Sequence, residues 1–261
     1  LVGSEMCIRD RSDINKASDS EAAAAILAFL NGDAEELATF LSKPVKVDEH
    51  YYYQIANYGS SMSPFYSVLA IWVGMTILVS LMKVHVNDAE YLKDARPHQL
   101  FWGRYLIFFL LSQLQVLVIV LGDLYLLKIQ CLHPFAFWAV AALTGFTFSL
   151  LIYSLTISFG DIGKALAVVI MVLQIAGSGG TYPIEALPGF FRQAYIFFPF
   201  PYAINAMREC IGGMYHHDIF VYLAELTLFI VVALVIGMII RKPFIRIMHF
   251  IEKRMEDTQM M

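Results

Sequence analysis

Residues 134–180 read PFAFWAVAALTGFTFSLLIYSLTISFGDIGKALAVVIMVLQIAGSGG, with Asp161 and Lys164 as their charged side chains. A helix crosses a hydrocarbon core in roughly 20 residues, so this stretch is too long for one crossing. It divides into two apolar runs, Pro134–Phe159 and Gly163–Gly180, joined by a tight turn at Gly160-Asp161-Ile162-Gly163. Three further runs of similar length follow the same pattern: Pro64–Met82, Tyr105–Leu127 and Ile219–Ile240. Lipid offers backbone N–H and C=O groups no partners, so each run must satisfy its own as a helix. The expected fold is an all-α membrane protein with about five transmembrane helices.

Composition agrees with this reading. Of 261 residues, 59 % are hydrophobic and 15 % charged, and the formal charge of -4 gives no basis for a nucleic-acid partner. Cys7, Cys131 and Cys210 form no CxxC pair, so neither a zinc nor a redox motif is present, although Cys131 and Cys210 fall on the same expected side, where a disulfide is permitted. Adjacent His216 and His217, followed by Asp218, point in different directions from a short loop and make a poor metal site. Gly160–Ala165 contains a Gly-Lys step, but a phosphate loop needs four residues between its glycines and a Ser or Thr after the Lys. No paired carboxylates or Ser-His-Asp set stands out in the loops. The expectation is a non-enzyme with no catalytic, cofactor-binding or metal residues.

Ionisable residues inside apolar runs are functional candidates by default. Asp123 would lie about 27 Å along its span from Tyr105, close to the surface. Glu225 lies deeper in the last run, where pairing with Arg208 or a polar neighbour is the expected outcome.

The ends of the chain differ in character. Residues 1–11, LVGSEMCIRDR, resemble the translation of a sequencing-adapter read-through and are set aside in reading the fold. Residues 12–61 are polar and acidic, with Ser20 and Asp33 as caps of two short helices, and read as the end of an extracellular region. Ser63-Pro64 is expected to open the first span, with Ser as cap and Pro at the first helical position. The transmembrane domain covers 62–241, and 242–261 reads as an amphipathic cytoplasmic tail.

Lys83, Lys93, Arg96 and Arg104 follow the first span, Lys164 sits in the turn before the fourth, and Arg241, Lys242, Arg246, Lys253 and Arg254 follow the last. With alternating spans all of these fall on one side, which the positive-inside rule makes cytoplasmic. An outer N-terminal segment with five spans then implies something upstream that carried it across, a cleaved signal peptide or a further span; a further span is the expectation, bringing the total to about six.

Two stretches carry more than hydropathy. Asn57-Tyr58-Gly59-Ser60-Ser61-Met62-Ser63-Pro64-Phe65-Tyr66 leads into Leu69–Gly74. Later, Gly177–Glu185, Leu187–Phe191, Phe198-Pro199, Pro201–Ile204, Arg208-Glu209 and Gly212-Gly213 follow in order. Together they resemble the C-terminal membrane region of the phage infection protein (YhgE/Pip) family, which is similar to the membrane domain of type-2 ABC exporters. The resemblance implies a six-helix domain whose first helix is missing here, with outer re-entrant helices. It points to Gly179, Gly180, Tyr182, Pro183, Glu185, Pro188, Arg208 and Glu209 as an outer re-entrant motif. It also implies that the loop bearing Asp88, Glu90, Lys93 and Arg96 docks on a separate ATPase subunit; the plain alternative is a solvated connector. The partners implied are membrane lipids, a second copy in a homodimer, and phage or secretion-machinery proteins. The first functional reading is a non-enzymatic envelope protein acting as phage receptor or in secretion, and the second is an exporter permease. Gly74, Gly145, Gly177 and Gly237 allow close helix contacts, either across a dimer or within one chain.

The charge distribution generates a test. In intact cells, a single cysteine at Ser18 should react with an impermeant thiol reagent and one at Thr258 should not; the opposite pattern would invert the topology.

Overall fold

The computed structural model describes residues 54–82, 84 and 97–241. Residues 1–53, the loop bearing Asp88, Glu90, Lys93 and Arg96, and the tail 242–261 lie outside the described residues, so the readings made of them are not addressed by the fold. The chain divides into two compact units after Tyr52, and the described residues all belong to the second.

Among the described residues the elements are helical. Helix α1 is Tyr58–Leu81, α2 is Pro97–Leu121 continuing through a π-helical turn at Gly122–Leu126, and α3 is Pro134–Gly177. The short α4, Gly189–Ala194, sits between 3-10 turns at Ile184–Ala186 and Tyr195–Phe197. Then come α5, Phe200–Gly212, and α6, Asp218–Leu234, which continues as a π-helical segment at Val235–Ile240. Four of these helices are long and apolar enough to cross a membrane.

One of the four counts twice. Gly160, inside α3, has φ 58° and ψ −133°, a conformation open to glycine and costly for other residues. There the helix folds back on itself. Trp72 of α1 fixes the geometry: its Nε1 donates to the Ala167 carbonyl (3.2 Å), and its ring packs edge-to-face on Phe148 (4.9 Å). In a straight helix Phe148 and Ala167 would be about 28 Å apart. The two limbs, 134–159 and 161–177, are therefore antiparallel, so the third and fourth expected runs are separate helices joined at Gly160. Gly163 lies so close to the Leu155 carbonyl and Thr156 that any Cβ there would overlap backbone.

Two boundaries differ from the sequence reading. Helix α1 starts at Tyr58, not at Ser63: Asn57 is the cap, its side chain accepting from the Ser60 N–H at 2.8 Å. Pro64 then lies inside the helix and cannot donate to the Ser60 carbonyl. The Ser63 hydroxyl takes over that role, donating to Ser60 O at 3.0 Å. Helix α2 begins at Pro97, so His98–Arg104 is helical rather than loop; Pro at a first helical position has no N–H to waste.

The folded α3 is the centre of the bundle. Its most apolar stretch is 61 % buried, against 17 % for that of Asp218–Ile240, which lies at the periphery with its apolar side chains facing outward. Tyr105 and Tyr153 hold α2 to α3: Tyr105 Oη lies 3.0 Å from Ser149 Oγ, and Tyr153 Oη donates to the Phe101 carbonyl at 3.1 Å. Ser158 Oγ donates to Ile236 O at 3.0 Å, tying α3 to the end of the last span. These bonds lie toward one face of the bundle, called here the Gly160 face. The opposite face carries Cys131, where Gln130 donates to the Gln54 carbonyl and accepts from the Ala56 N–H.

The four glycines in the spans pack within the chain. A Cβ at Gly74 would overlap Gln115, one at Gly145 would overlap Val116, one at Gly177 would lie 2.8 Å from Phe191, and one at Gly237 would lie 2.6 Å from Phe101. Of the two uses open to them, the structure shows the internal one.

Substituting Gly163→Ala should destabilise the protein by about 1–3 kcal/mol, because the obstruction is backbone and cannot swing away. Gly103→Ala, which meets nothing within 4 Å, should be neutral or stabilising by up to about 1 kcal/mol. Thermal unfolding in detergent micelles reads both, and equal melting temperatures for the two variants would contradict the hairpin.

Candidate functional site

The second limb of α3 stops early. Measured from the turn at Gly160, its end at Gly177 is about 26 Å along, whereas the first limb runs about 39 Å from Pro134 to the same turn. The limb therefore ends about 13 Å below the Cys131 face. The sequence Gly177-Ser178-Gly179-Gly180 explains the stop. Gly179 takes φ 66°, the left-handed conformation that closes a helix, and Ser178 Oγ accepts from the Gly180 N–H at 3.3 Å. Pro183 and Pro188 then start the 3-10 turn and α4 in place of a continuing helix.

The chain next goes deeper. Pro199 caps α5 and Pro201 lies in its first turn, so that Phe200 stands at its lower end. The Phe200 ring stacks on Phe148 (5.5 Å) and meets Trp72 edge-to-face (5.5 Å), and its N–H donates to Gln174 Oε1 at 3.3 Å. Phe148 and Trp72 each lie about 21 Å along their helices from the Cys131 face. From there α5 climbs about 20 Å. At its upper end the Cys210 carbonyl accepts from the His133 N–H (3.1 Å) and from Cys131 Sγ (3.6 Å). Thus 178–212 begins about 13 Å below the Cys131 face, goes down to mid-depth at Phe200 and climbs to that face. It is a re-entrant hairpin.

Arg208 joins its two arms. The guanidinium donates to the carbonyls of Gly179 (3.4 Å) and Gly180 (2.9 Å) and to Asn205 Oδ1 (3.3 Å). Asn205 Nδ2 in turn donates to Tyr195 Oη at 3.1 Å. A cation at the C-terminal end of the second limb meets the negative end of its dipole and carbonyls that have no helical donor. Gly180 also lies against Phe65 of α1, too close for a side chain.

Of the eight residues singled out for the re-entrant motif, Gly179, Gly180 and Arg208 form one cluster. Pro183 and Pro188 shape the descending arm without touching it. Tyr182 and Glu185 are exposed. Glu209 turns the other way, its Oε2 accepting from the Tyr215 N–H at 2.6 Å. Of the two partners expected for Glu225, Arg208 or a polar neighbour, Arg208 is instead engaged by the two carbonyls and Asn205. His216 and His217 diverge, one ring lying against Tyr215 (4.3 Å) and the other near Phe220 (6.2 Å). Cys131 and Cys210 are free thiols, and burial pushes the Cys131 thiol above its usual range. The four coupling-loop residues, Asp88, Glu90, Lys93 and Arg96, lie outside the described residues.

Sequence reasoning missed Gln174 and Phe148, which with Trp72 seat Phe200. Gln174 is fully buried in an otherwise apolar run, and a lone amide in such a run was the available signal.

The family profile described as "ABC-2 family transporter protein" matches residues 8–239. The chain belongs to that family. It is also similar to "Uncharacterized protein YhgE" of Bacillus subtilis (strain 168), with 27 % identity over 170 residues, 65 % of this chain. That alignment spans 22 % of the relative's length. The likeness supports the YhgE/Pip type to which the sequence motifs point. No solved structure matches the chain.

Arg208→Met keeps the bulk and removes the donors. It should cost about 1–3 kcal/mol by leaving the Gly179 and Gly180 carbonyls unpaired. Arg208→Lys, which supplies charge without the planar fork, should recover part of this. Hydrogen exchange over 178–212 should accelerate in the Met variant; unchanged protection would show that Arg208 does not hold the hairpin.

Proposed function

We propose that this chain is the membrane part of a transport or secretion device that works with a separate ATPase and as a two-fold pair of copies. Membership of the ABC-2 transporter family supports a transport-related membrane protein. The observation that carries the reading further is Phe200, seated at mid-depth on Trp72 and Phe148 at the tip of the re-entrant hairpin. A hairpin whose tip sits at mid-depth and whose second arm leaves by the Cys131 face closes a route at that depth without being a span. Its withdrawal would open the route.

In this reading the Cys131 face is outside and the Gly160 face cytoplasmic. Arg104, Lys164 and Arg241 support that orientation, since all three belong to the Gly160 ends of their helices. The chain is not an enzyme: it supplies the route, and the partner supplies hydrolysis. Asp88, Glu90, Lys93 and Arg96 would form the cytoplasmic docking loop. The homodimer would use α1 together with the outer helices. A role as phage receptor or in specialised secretion, implied by the resemblance to the phage infection protein family, is compatible with this block. Its contacts would then lie in the outer part of the protein.

Mild crosslinking in native membranes, followed by purification, tests the proposal. We expect a protein with a complete phosphate loop to copurify, and we expect crosslinked pairs of the chain through single cysteines in 67–79 recurring every three to four residues. Recovery of a monomer alone, with no nucleotide-hydrolysing partner at any crosslinker length, would refute it.

A further inference from the structure

A second feature stands apart from the hairpin, on the other side of α1. A cleft of about 390 Å³ opens between α1 and the end of α2, lined by Asn57, Ser60, Ser63, Tyr66, Ser67 and Asp123 together with apolar neighbours. Its volume falls within the range of small-molecule sites. Asp123 is 7 % exposed, and its Oδ2 accepts from Ser67 Oγ at 2.5 Å; among the described residues this is the one hydrogen bond its carboxylate receives. A carboxylate has room for about four such bonds. Among the described residues, no lysine, arginine or histidine lines the cleft.

The local backbone is built around this residue. Asp123 stands in the π-helical turn Gly122–Leu126, where Leu127 N–H reaches back to Gly122 O (2.9 Å) and Ile129 N–H to Asp123 O (3.1 Å). Such turns are frequent at functional sites. Gln130 holds Ser60 of the lining in place, its own N–H donating to Ser60 Oγ at 3.0 Å. The sides are different: Tyr66 and Leu127 are 58 % and 66 % exposed, on surfaces that face lipid once the bundle is in a bilayer. Asp123 itself lies about 5 Å below the end of its helix, the level of lipid head groups.

We propose that this cleft binds an amphiphilic amine, with its ammonium group on Asp123, its polar neighbours on Ser63 and Ser67, and its apolar chain leaving sideways past Tyr66 and Leu127. The carboxylate needs a cation, and the described lining supplies none. A phospholipid head group fits less well, because its phosphate would meet Asp123 with no basic side chain in that lining to hold it. Binding here does not depend on the transport reading, since the cleft and its carboxylate are separate from the hairpin.

The test uses the full chain in phosphatidylcholine nanodiscs, with radiolabelled dodecylamine as probe and dodecanol as its uncharged match. We expect saturable amine binding above that of empty discs, and only background binding of dodecanol. Asp123→Asn should weaken the amine by about tenfold or more, the value of a charge-assisted bond, and Ser67→Ala less. A second readout does not require the Asn variant to fold: dodecylamine, but not dodecanol, should slow maleimide labelling of Ile119→Cys. Equal affinity in Asp123→Asn, or equal protection by the alcohol, would overturn the proposal. Displacement of the amine by phosphatidylethanolamine added to the discs would overturn the choice of a phosphate-free ligand.

Discussion

The second limb of α3 ends inside the bundle, and the structure around it answers the problem this creates. A helix that stops in a bilayer leaves its last carbonyls without donors, in a medium with no water to replace them. Arg208 donates to the carbonyls of Gly179 and Gly180, in the turn just past the helix end. Ser178 and Gly179 close the turn, and Gln174 accepts from the N–H of Phe200 where α5 begins. The bonds of Arg208 and Gln174 join the two arms of the hairpin to each other and the hairpin to α3. The polar contacts therefore do two things at once: they satisfy broken backbone and fix how far the hairpin descends.

Below that polar layer the contacts are aromatic. Trp72, Phe148 and Phe200 meet in a mutual cluster with centroid separations of 4.9, 5.5 and 5.5 Å. Each such pair contributes about 0.5–1.5 kcal/mol beyond area burial. Within a membrane there is little hydrophobic drive between helices, so packing of this kind and interhelical hydrogen bonds carry association. The Trp72 indole shows both: its ring is in the cluster and its N–H holds the second limb of α3. The descending arm is less covered, with Phe190 and Phe197 exposed at 66 % and 77 %, side chains suited to an interfacial position.

Much of the fold could be read from the chain because hydropathy and glycine act locally. The five apolar runs, the reversal at Gly160 and the break of helix through Pro183, Pro188 and Pro199 all follow from residues near the event. The boundaries that differ have an equally physical origin. Ser60, Ser61 and Ser63 look like a polar lead-in, yet Ser63 is a helix residue repairing the carbonyl that Pro64 leaves open. For Asp123, depth along its own helix is the only measure the chain offers, and it understates the residue. Its partner Ser67 is 56 residues away, and no local pattern announces such a pair. The same holds for Gln174 with Phe200 and for Arg208 with Gly179 and Gly180. Arg208 could be singled out by its place in a motif, but not paired with carbonyls rather than with Glu225.

Helix α1 separates the two sites and presents a different side to each. Phe65 and Trp72, seven positions apart and so nearly in line on a helix, face Gly180 and Phe200 of the hairpin. Ser60, Ser63 and Ser67, at spacings of three and four, line the Asp123 cleft on the opposite side. Gln130 pins the start of this helix through Ser60 and the residues before it. A rigid helix cannot turn one side without turning the other. Any withdrawal of Phe200 that lets Trp72 move would rotate or tilt α1 and so change the distance between Ser67 and Asp123. Helix α1 is thus the element that the two sites share, each on its own side.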